Sequence, residues 1–362
     1  MQIKKKRGWI IGLGILAIIL LIIIGSVVWY KLQLRPVDPE NQETTLVTIK
    51  SGATPDTIAN DLKQNSLIRS SLAFSIHAKI NNLANGLQAG GHKLSPSQST
   101  PEIAKQLQQA ENNDIVVQFV PGAMLIDNSK STPNDKKQDV RSTLERLGYD
   151  RGEIEQAFEA DYSEYKDTLF KGRPENAGIE GYAYGETYNM SSDATVEQIL
   201  RRSFDEFAKV VKDQNLEQKF AEHGLTLYQG ITLASIIQKE VSCHGSQVCD
   251  DQKQVSQVFF KRLADNMPLG ADATFVYAAA QTGQTPTIDL DSPYNTRIHS
   301  GLTPGPISSP GLGALTAVAN PAQGDYLYFV SGDDGTNYFS RTMDEHVEAT
   351  KKYCIKNCVL PE

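Results

Sequence analysis

The feature that most constrains this chain is the run from Trp9 to Tyr30. It contains no charged side chain, and its middle, Leu16 to Ile24, is almost wholly Leu and Ile. A helix needs about 20 apolar residues to cross the hydrocarbon core of a bilayer. Residues 9–30 therefore predict a single transmembrane helix, with Trp9 at one interface and Trp29-Tyr30 at the other. Lys4, Lys5, Lys6 and Arg7 precede the run, with no acidic residue among residues 1–8. The positive-inside rule keeps that tail cytoplasmic and exports the rest, a cell-membrane protein with an extracytoplasmic body. A cleaved signal peptide is the alternative, but its apolar region is shorter and ends in a small-residue cleavage site. Gly25-Ser26 is the only weak candidate, and no Cys follows to accept a lipid, so a retained anchor is preferred.

The chain carries 35 Lys and Arg against 43 Asp and Glu, and four of those basic residues precede the apolar run. The exported part is thus distinctly acidic, which excludes nucleic acid or an anionic surface as a partner held by bulk charge. Neutral or zwitterionic polymers stay open. All four cysteines lie in the exported part. Their spacing allows two small disulfide loops, Cys243–Cys249 and Cys354–Cys358, in a compartment that permits them. A zinc site with His244 adjacent is the alternative, although the spacings are not the usual two-residue knuckles.

Residues 31–45, with Pro36 and Pro39, read as a linker. Leu46–Ile49 is a short β run, followed by helical patterns through Leu67 and over Ser70–Leu87, a break at Leu87–Gly90, and a helix with Thr100 as cap and Pro101 in its first turn. Residues 46–110 form a strand-plus-helices module, and residues 111–362 a larger domain. The larger domain opens on the β run Ile115–Val120 before Pro121-Gly122, a looser second copy of the module's opening. Charged helical sequence runs to Phe170, and further helices are predicted over Thr195–Phe207 and Val255–Leu263. Pro286–Gly313 is rich in Pro and Gly and must be mostly loop. Tyr326–Phe339 reads as a hairpin and Met343–Tyr353 as a closing helix. The class is α+β.

Within this frame Leu233-Ala-Ser-Ile-Ile-Gln-Lys-Glu240 holds the sharpest chemical signal. At helical spacings back from Glu240 stand Ile237, Ile236 and Leu233, all apolar. A carboxylate packed against aliphatic side chains loses hydration, which raises its pKa and keeps a proton available near neutrality. Such a group suits a general acid. The structural alternative is a helix-end Glu that reaches solvent.

Several blocks in one order resemble the MltG-like (YceG-like) endolytic murein transglycosylases: Glu180-Gly-Tyr-Ala-Tyr-Gly-Glu-Thr-Tyr188, Leu233–Glu240, Leu269-Gly-Ala-Asp-Ala-Thr-Phe-Val-Tyr277, Ser292-Pro-Tyr-Asn-Thr296, Gly301-Leu-Thr-Pro-Gly-Pro-Ile307, Ala319-Asn-Pro321, Tyr326-Leu-Tyr-Phe329 and Glu345-His346. The resemblance implies a membrane-anchored enzyme that cuts nascent peptidoglycan glycan strands internally beside wall synthases. It also implies a small LysM-like module ahead of a mixed α+β YceG-like catalytic domain, and Glu240 as the one catalytic acid/base. A single carboxylate suffices if it protonates the oxygen between MurNAc and GlcNAc and then deprotonates the MurNAc C6 hydroxyl, giving a 1,6-anhydro-MurNAc end.

A hydrolase would need a second carboxylate, for which Asp272 or Glu186 are the candidates, and would leave reducing ends. A non-catalytic wall-binding or scaffold protein of the same fold is the other rival. Asn295, Thr296, Tyr188, Tyr294, Tyr277, Glu180 and Asp272 are candidate substrate contacts. Set against that are a turn for Asn295, packing for the tyrosines, an ion pair for Glu180 and a preferred helix cap for Asp272. Pro304–Pro306 is expected to shape the groove wall. Residues Gly185, Glu186, Gly270, Ala271, Arg297 and Asn337 depart from the family pattern. His299 and His346 lack a metal motif, and no cofactor is implied. Phe74 is the only aromatic in residues 46–110, so the module is expected to pack or bind glycan weakly.

Overall fold

The computed structural model of the chain describes residues 3–49, 52–83, 86–109, 115–126, 139–241, 243 and 249–356. It divides into two compact units, residues 1–115 with 190–194, and residues 116–189 with 195–362.

The first unit opens on helix α1 (Ile3–Gln33). Among the described residues no helix is long and apolar enough to cross a membrane; the side chains described on α1 are Leu16 and residues 18–33. Beyond it, strand β1 (Thr45–Ile49) is followed by α2 (Pro55–Gln64), α3 (Ser71–Ile80), β2 (Gly90–Leu94) and α4 (Thr100–Gln106). The two strands pair antiparallel, Thr45 opposite Leu94 and Ile49 opposite Gly90. Val47 and Ile49 turn inward onto Ile58, Leu62, Phe74 and Ile103, the centre of a small apolar core. Thr54 and Ser70 cap α2 and α3 through their hydroxyls.

Two sequence expectations shift here. Ser99, not Thr100, caps α4, because a capping box with Glu102 satisfies donors at both ends of the first turn. Strand β2 follows the expected break at Leu87–Gly90, where no element was expected. Gly-Gly-His-Lys-Leu has little β propensity of its own, and its pairing comes from β1. Gly91 also donates its amide to the Ser192 hydroxyl, which is how residues 190–194 join this unit. A Cβ on Gly91 would stand 2.8 Å from the Ser192 Cβ.

The second unit is helical, with short strands at its margins. Strand β3 (Ile115–Gln118) pairs with β4 (Thr187–Met190), a strand–helices–strand order like that of β1, α2, α3 and β2 in the first unit. Helices α5 (Val140–Arg146) and α6 (Arg151–Phe158) lie between these strands, and only a single 3-10 turn, Ser163–Tyr165, follows toward Phe170. Helix α7 (Val196–Asp213) is longer than expected and starts from a Thr195–Gln198 capping box. Its Phe204 meets Tyr162, Tyr165 and Phe170 edge-on at 5.0–5.5 Å, the geometry aromatic rings prefer.

After α8 (Leu216–Glu222) comes α9 (Leu227–Glu240), whose residues from Ile231 to Ile237 are all buried. It packs against α8, α10 (Asp250–Ala264), α11 (Asp272–Thr282) and α12 (Leu312–Ala319). An apolar helix surrounded by others is the natural centre of such a unit. Strands β5 (Tyr328–Ser331) and β6 (Asn337–Ser340) form the expected hairpin, followed by α13 (Met343–Tyr353). The Pro/Gly-rich loop before α12 is pinned along α9: Ser235 Oγ accepts from the Ile307 amide at 3.0 Å, and Gln238 Oε1 from the Gly311 amide at 3.0 Å.

Candidate active site

Helix α9 ends at Glu240. Its helical neighbours Leu233, Ile236 and Ile237 are fully buried, while Glu240 keeps part of its surface open. That opening is a cleft of about 280 Å³, bordered by Glu240, Asp251, Ser331, Asn337 and the Cys243–Cys249 disulfide. The disulfide is the one expected from spacing. Cys354 is also disulfide-bonded; Cys358, its expected partner, and His244 lie outside the described residues.

Burial pushes the Glu240 carboxyl up to about 7, and the nearby Asp272 carboxylate adds to the rise. The Ala273 amide, in the first turn of α11, and the guanidinium groups of Arg297 and Arg262 pull the other way. The site therefore tolerates both protonation states. The apolar helix face favours the neutral acid, and one amide with two cations steadies the carboxylate.

Asp272 does not cap α11. It is the first residue of the helix, Ala271 holds the cap position, and no side chain caps it. Asp272 instead accepts from Arg297 Nε at 2.7 Å and Nη2 at 2.5 Å. Asn295 and Thr296, expected as sugar contacts, are buried. Asn295 Nδ2 donates to the Ile288 and Leu290 carbonyls at 3.0 and 2.9 Å, and its Oδ1 accepts from the Arg297 amide at 3.0 Å. Thr296 Oγ1 accepts from the Ala271 amide at 3.1 Å and shares a 2.9 Å hydrogen bond with Thr274 Oγ1. Their polar atoms are used to lock a turn onto α11, and that turn holds Arg297 against Asp272 beside Glu240.

The other expected contacts lie away from the cleft. Tyr188 is buried, and its hydroxyl donates to the Tyr184 carbonyl at 2.8 Å. Tyr277 is buried and Tyr294 half-buried, with rings 5.1 Å apart. The Glu180 carboxylate accepts from the Leu125 amide at 3.1 and 3.2 Å and from the Gly181 amide at 3.1 Å. Burial raises it to about 7, against the pull of the Leu125 and Gly181 amides, Lys239 and the Ile126 amide. Glu186 is exposed. Pro304 borders a separate hollow with Tyr228 and Thr303, not the Glu240 cleft. His346 stacks on Tyr328 at 5.4 Å and His299 is exposed.

Sequence reasoning missed Asp251 and Ser331. Asn337 Nδ2 donates to Asp251 Oδ2 at 2.8 Å, and Ser331 Oγ donates to Asn337 Oδ1 at 2.7 Å. This chain of hydrogen bonds forms the polar wall facing Glu240. The available signal was the short disulfide loop, which must return Asp251 close to the end of α9.

Residues 47–352 match the YceG-like family. The chain belongs to the YceG-like family. It is 29% identical, over 92% of its length and 91% of the relative's, to an endolytic murein transglycosylase of Bacillus subtilis. It is 27% identical to an endolytic murein transglycosylase of Streptococcus pneumoniae, over 86% of this chain, and spans 59% of that longer relative. Its fold is similar to the crystal structure of a yceG-like protein from Listeria monocytogenes, with TM-score 0.52 and 26% identity, covering 84% of this chain and 99% of the other.

Proposed function

We propose that this YceG-like protein is a membrane-anchored endolytic peptidoglycan transglycosylase. Glu240 first protonates the glycosidic oxygen between MurNAc and GlcNAc, and the resulting carboxylate then takes the proton of the MurNAc C6 hydroxyl. Attack of that oxygen on the anomeric carbon closes a 1,6-anhydro ring. The observation that carries the reading is a carboxyl open to a cleft yet raised to about 7, where a proton is equally available to give and to take. The names of the related proteins support peptidoglycan as the substrate. The exposed aliphatic side chains of α1, Leu16 and Ile18 to Ile24 among them, support a bilayer anchor at residues 9–30, and the basic residues Lys4 to Arg7 ahead of it support an extracytoplasmic body; work beside wall synthases rests on the family resemblance alone. Phe74 sits in the core of the first unit, which supports a LysM-like spacer that packs instead of stacking on sugars.

A glycan hydrolase leaving reducing ends is the second reading. It is favoured by one observation: Asp251 is a second carboxylate in the Glu240 cleft. Mass spectrometry of peptidoglycan digested by the protein and by its Glu240→Gln variant separates the two. Anhydro-MurNAc ends from the first and none from the second are expected. Reducing ends would select the hydrolase, and absence of products from both would select a binding protein.

A further inference from the structure

Helix α3 is apolar on two faces. Ala73, Phe74 and Ala78 are buried in the core of the first unit. On another face, at a spacing of four, stand Leu72, Ile76 and Ile80, and Leu72 and Ile80 are 61% and 68% exposed. A water-facing helix normally carries polar groups there. Single exposed aliphatic residues need no explanation, but this stripe is continuous with a larger one. Ile76 and Ile80 border an apolar groove of about 600 Å³ whose other wall is α1, through Ile22, Val27, Trp29 and Tyr30. The Tyr30 hydroxyl lies 3.2 Å from His77 Nδ1 and ties the two helices together at that point.

We propose that the outer face of α3 is a membrane-docking surface whose occupant is the phospholipid headgroup–acyl boundary. The inference rests on α1 being the anchor. With the exposed aliphatic length of α1 in hydrocarbon, Trp29 and Tyr30 stand at the interface, where such rings settle. The groove they share with α3 then lies at the same depth. Leu72, Ile76 and Ile80 enter the boundary as the apolar face of an interfacial helix does. Charge is compatible: α3 carries no acidic residue of its own and Lys79 stands in its last turn, while burial lowers the His77 pKa and Asp56 of α2 accepts from the Ser75 hydroxyl. A lysine beside an apolar stripe suits the headgroup level of a lipid surface. The first unit is thereby held flat on the bilayer, not free on a tether.

The test uses the full chain in phosphatidylcholine–phosphatidylglycerol vesicles, with an environment-sensitive fluorophore on Leu72→Cys, Ile80→Cys, Val27→Cys or Lys63→Cys. Val27 lies on α1, and Lys63 is exposed on α2. Blue-shifted emission, quenched by lipids spin-labelled near the headgroup, is expected at positions 72 and 80, and aqueous emission at 63. Because a label has its own affinity for lipid, the probe is also placed at Ile76→Cys together with Leu72→Ser and Ile80→Ser; quenching is expected to be lost there. Aqueous emission at 72 and 80 while position 27 is quenched leaves the anchor intact and overturns docking. Loss of quenching at 27 as well removes the anchor and the docking together. A blue shift that lipid quenchers do not touch assigns the stripe to a second copy of the chain and also overturns the proposal.

Discussion

Glu240 and Glu180 make a natural comparison. Both are glutamates that burial lifts to about 7, yet their surroundings differ in kind. The Glu180 carboxylate is consumed by backbone amides of Leu125 and Gly181. Among the described residues, Glu240 has the Ala273 amide, the charges of Arg297 and Arg262 and an open cleft. A perturbed pKa marks burial in both places, and the proposed chemistry asks for more than that. A carboxyl that faces an open space is what separates Glu240, the proposed acid, from the amide-bound Glu180.

The comparison breaks most directly by substitution. Glu240→Gln keeps shape and removes the titrating proton, so glycan cleavage should fall by about 10²–10⁴-fold, the usual worth of a general acid/base. Far-ultraviolet circular dichroism should be unchanged. Glu180→Ala should do the reverse: the Leu125 and Gly181 amides lose their buried acceptor, costing about 2–4 kcal/mol in denaturant unfolding. Turnover per folded molecule should remain. If Glu180→Gln abolished turnover without loss of stability, the distinction between the two glutamates would fail.

A second pair of variants sharpens the electrostatics. Asp272→Asn removes the like charge beside Glu240, so the alkaline limb of the pH–rate profile should move to lower pH. Arg297→Gln removes a cation, so the same limb should move to higher pH. Each shift should be about half a unit to one unit, given the exposure of the Asp272–Arg297 pair. Movement of both limbs in one direction would mean that the two residues act through the turn they support, not through their charge.

The smallest effect concerns stability. The Glu240 pKa is raised in the folded state relative to its ordinary 4.5. Its stabilising contribution, the buried neutral acid, is complete below 4.5 and is lost as pH rises through about 7. Glu240→Gln should therefore be stabilised relative to the parent at pH 8 by on the order of 2 kcal/mol. Near pH 4 the two should be alike. Thermal unfolding at the two pH values reads the difference directly.

How much of this was legible in the sequence depended on the kind of signal. The environment of Glu240 followed from periodicity alone, because Leu233, Ile236 and Ile237 fix which side of α9 is buried. The hairpin and α13 followed from turn residues and spacing. Strand β2 did not, since Gly90–Leu94 gains its extended form from β1. Asn295 and Thr296 were expected as sugar contacts, and a motif does not say by which atoms a residue acts. Their side chains act inward on the Ile288, Leu290 and Ala271 backbone. Asp251 and Asn337 are far apart in the chain and meet only because the disulfide loop and the hairpin converge on one cleft.

The return of residues 190–194 to the first unit has a consequence for how the protein is made. Its first unit is not one continuous stretch of chain. During synthesis from the N-terminus, Val47, Leu62 and Phe74 can gather as soon as residue 107 has emerged, but Ser192 reaches Gly91 only after β3, α5, α6 and β4 have followed. The first unit is thus begun first and sealed late. A protein truncated at residue 115 would keep the βααβ core yet leave the Gly91 amide without its Ser192 acceptor.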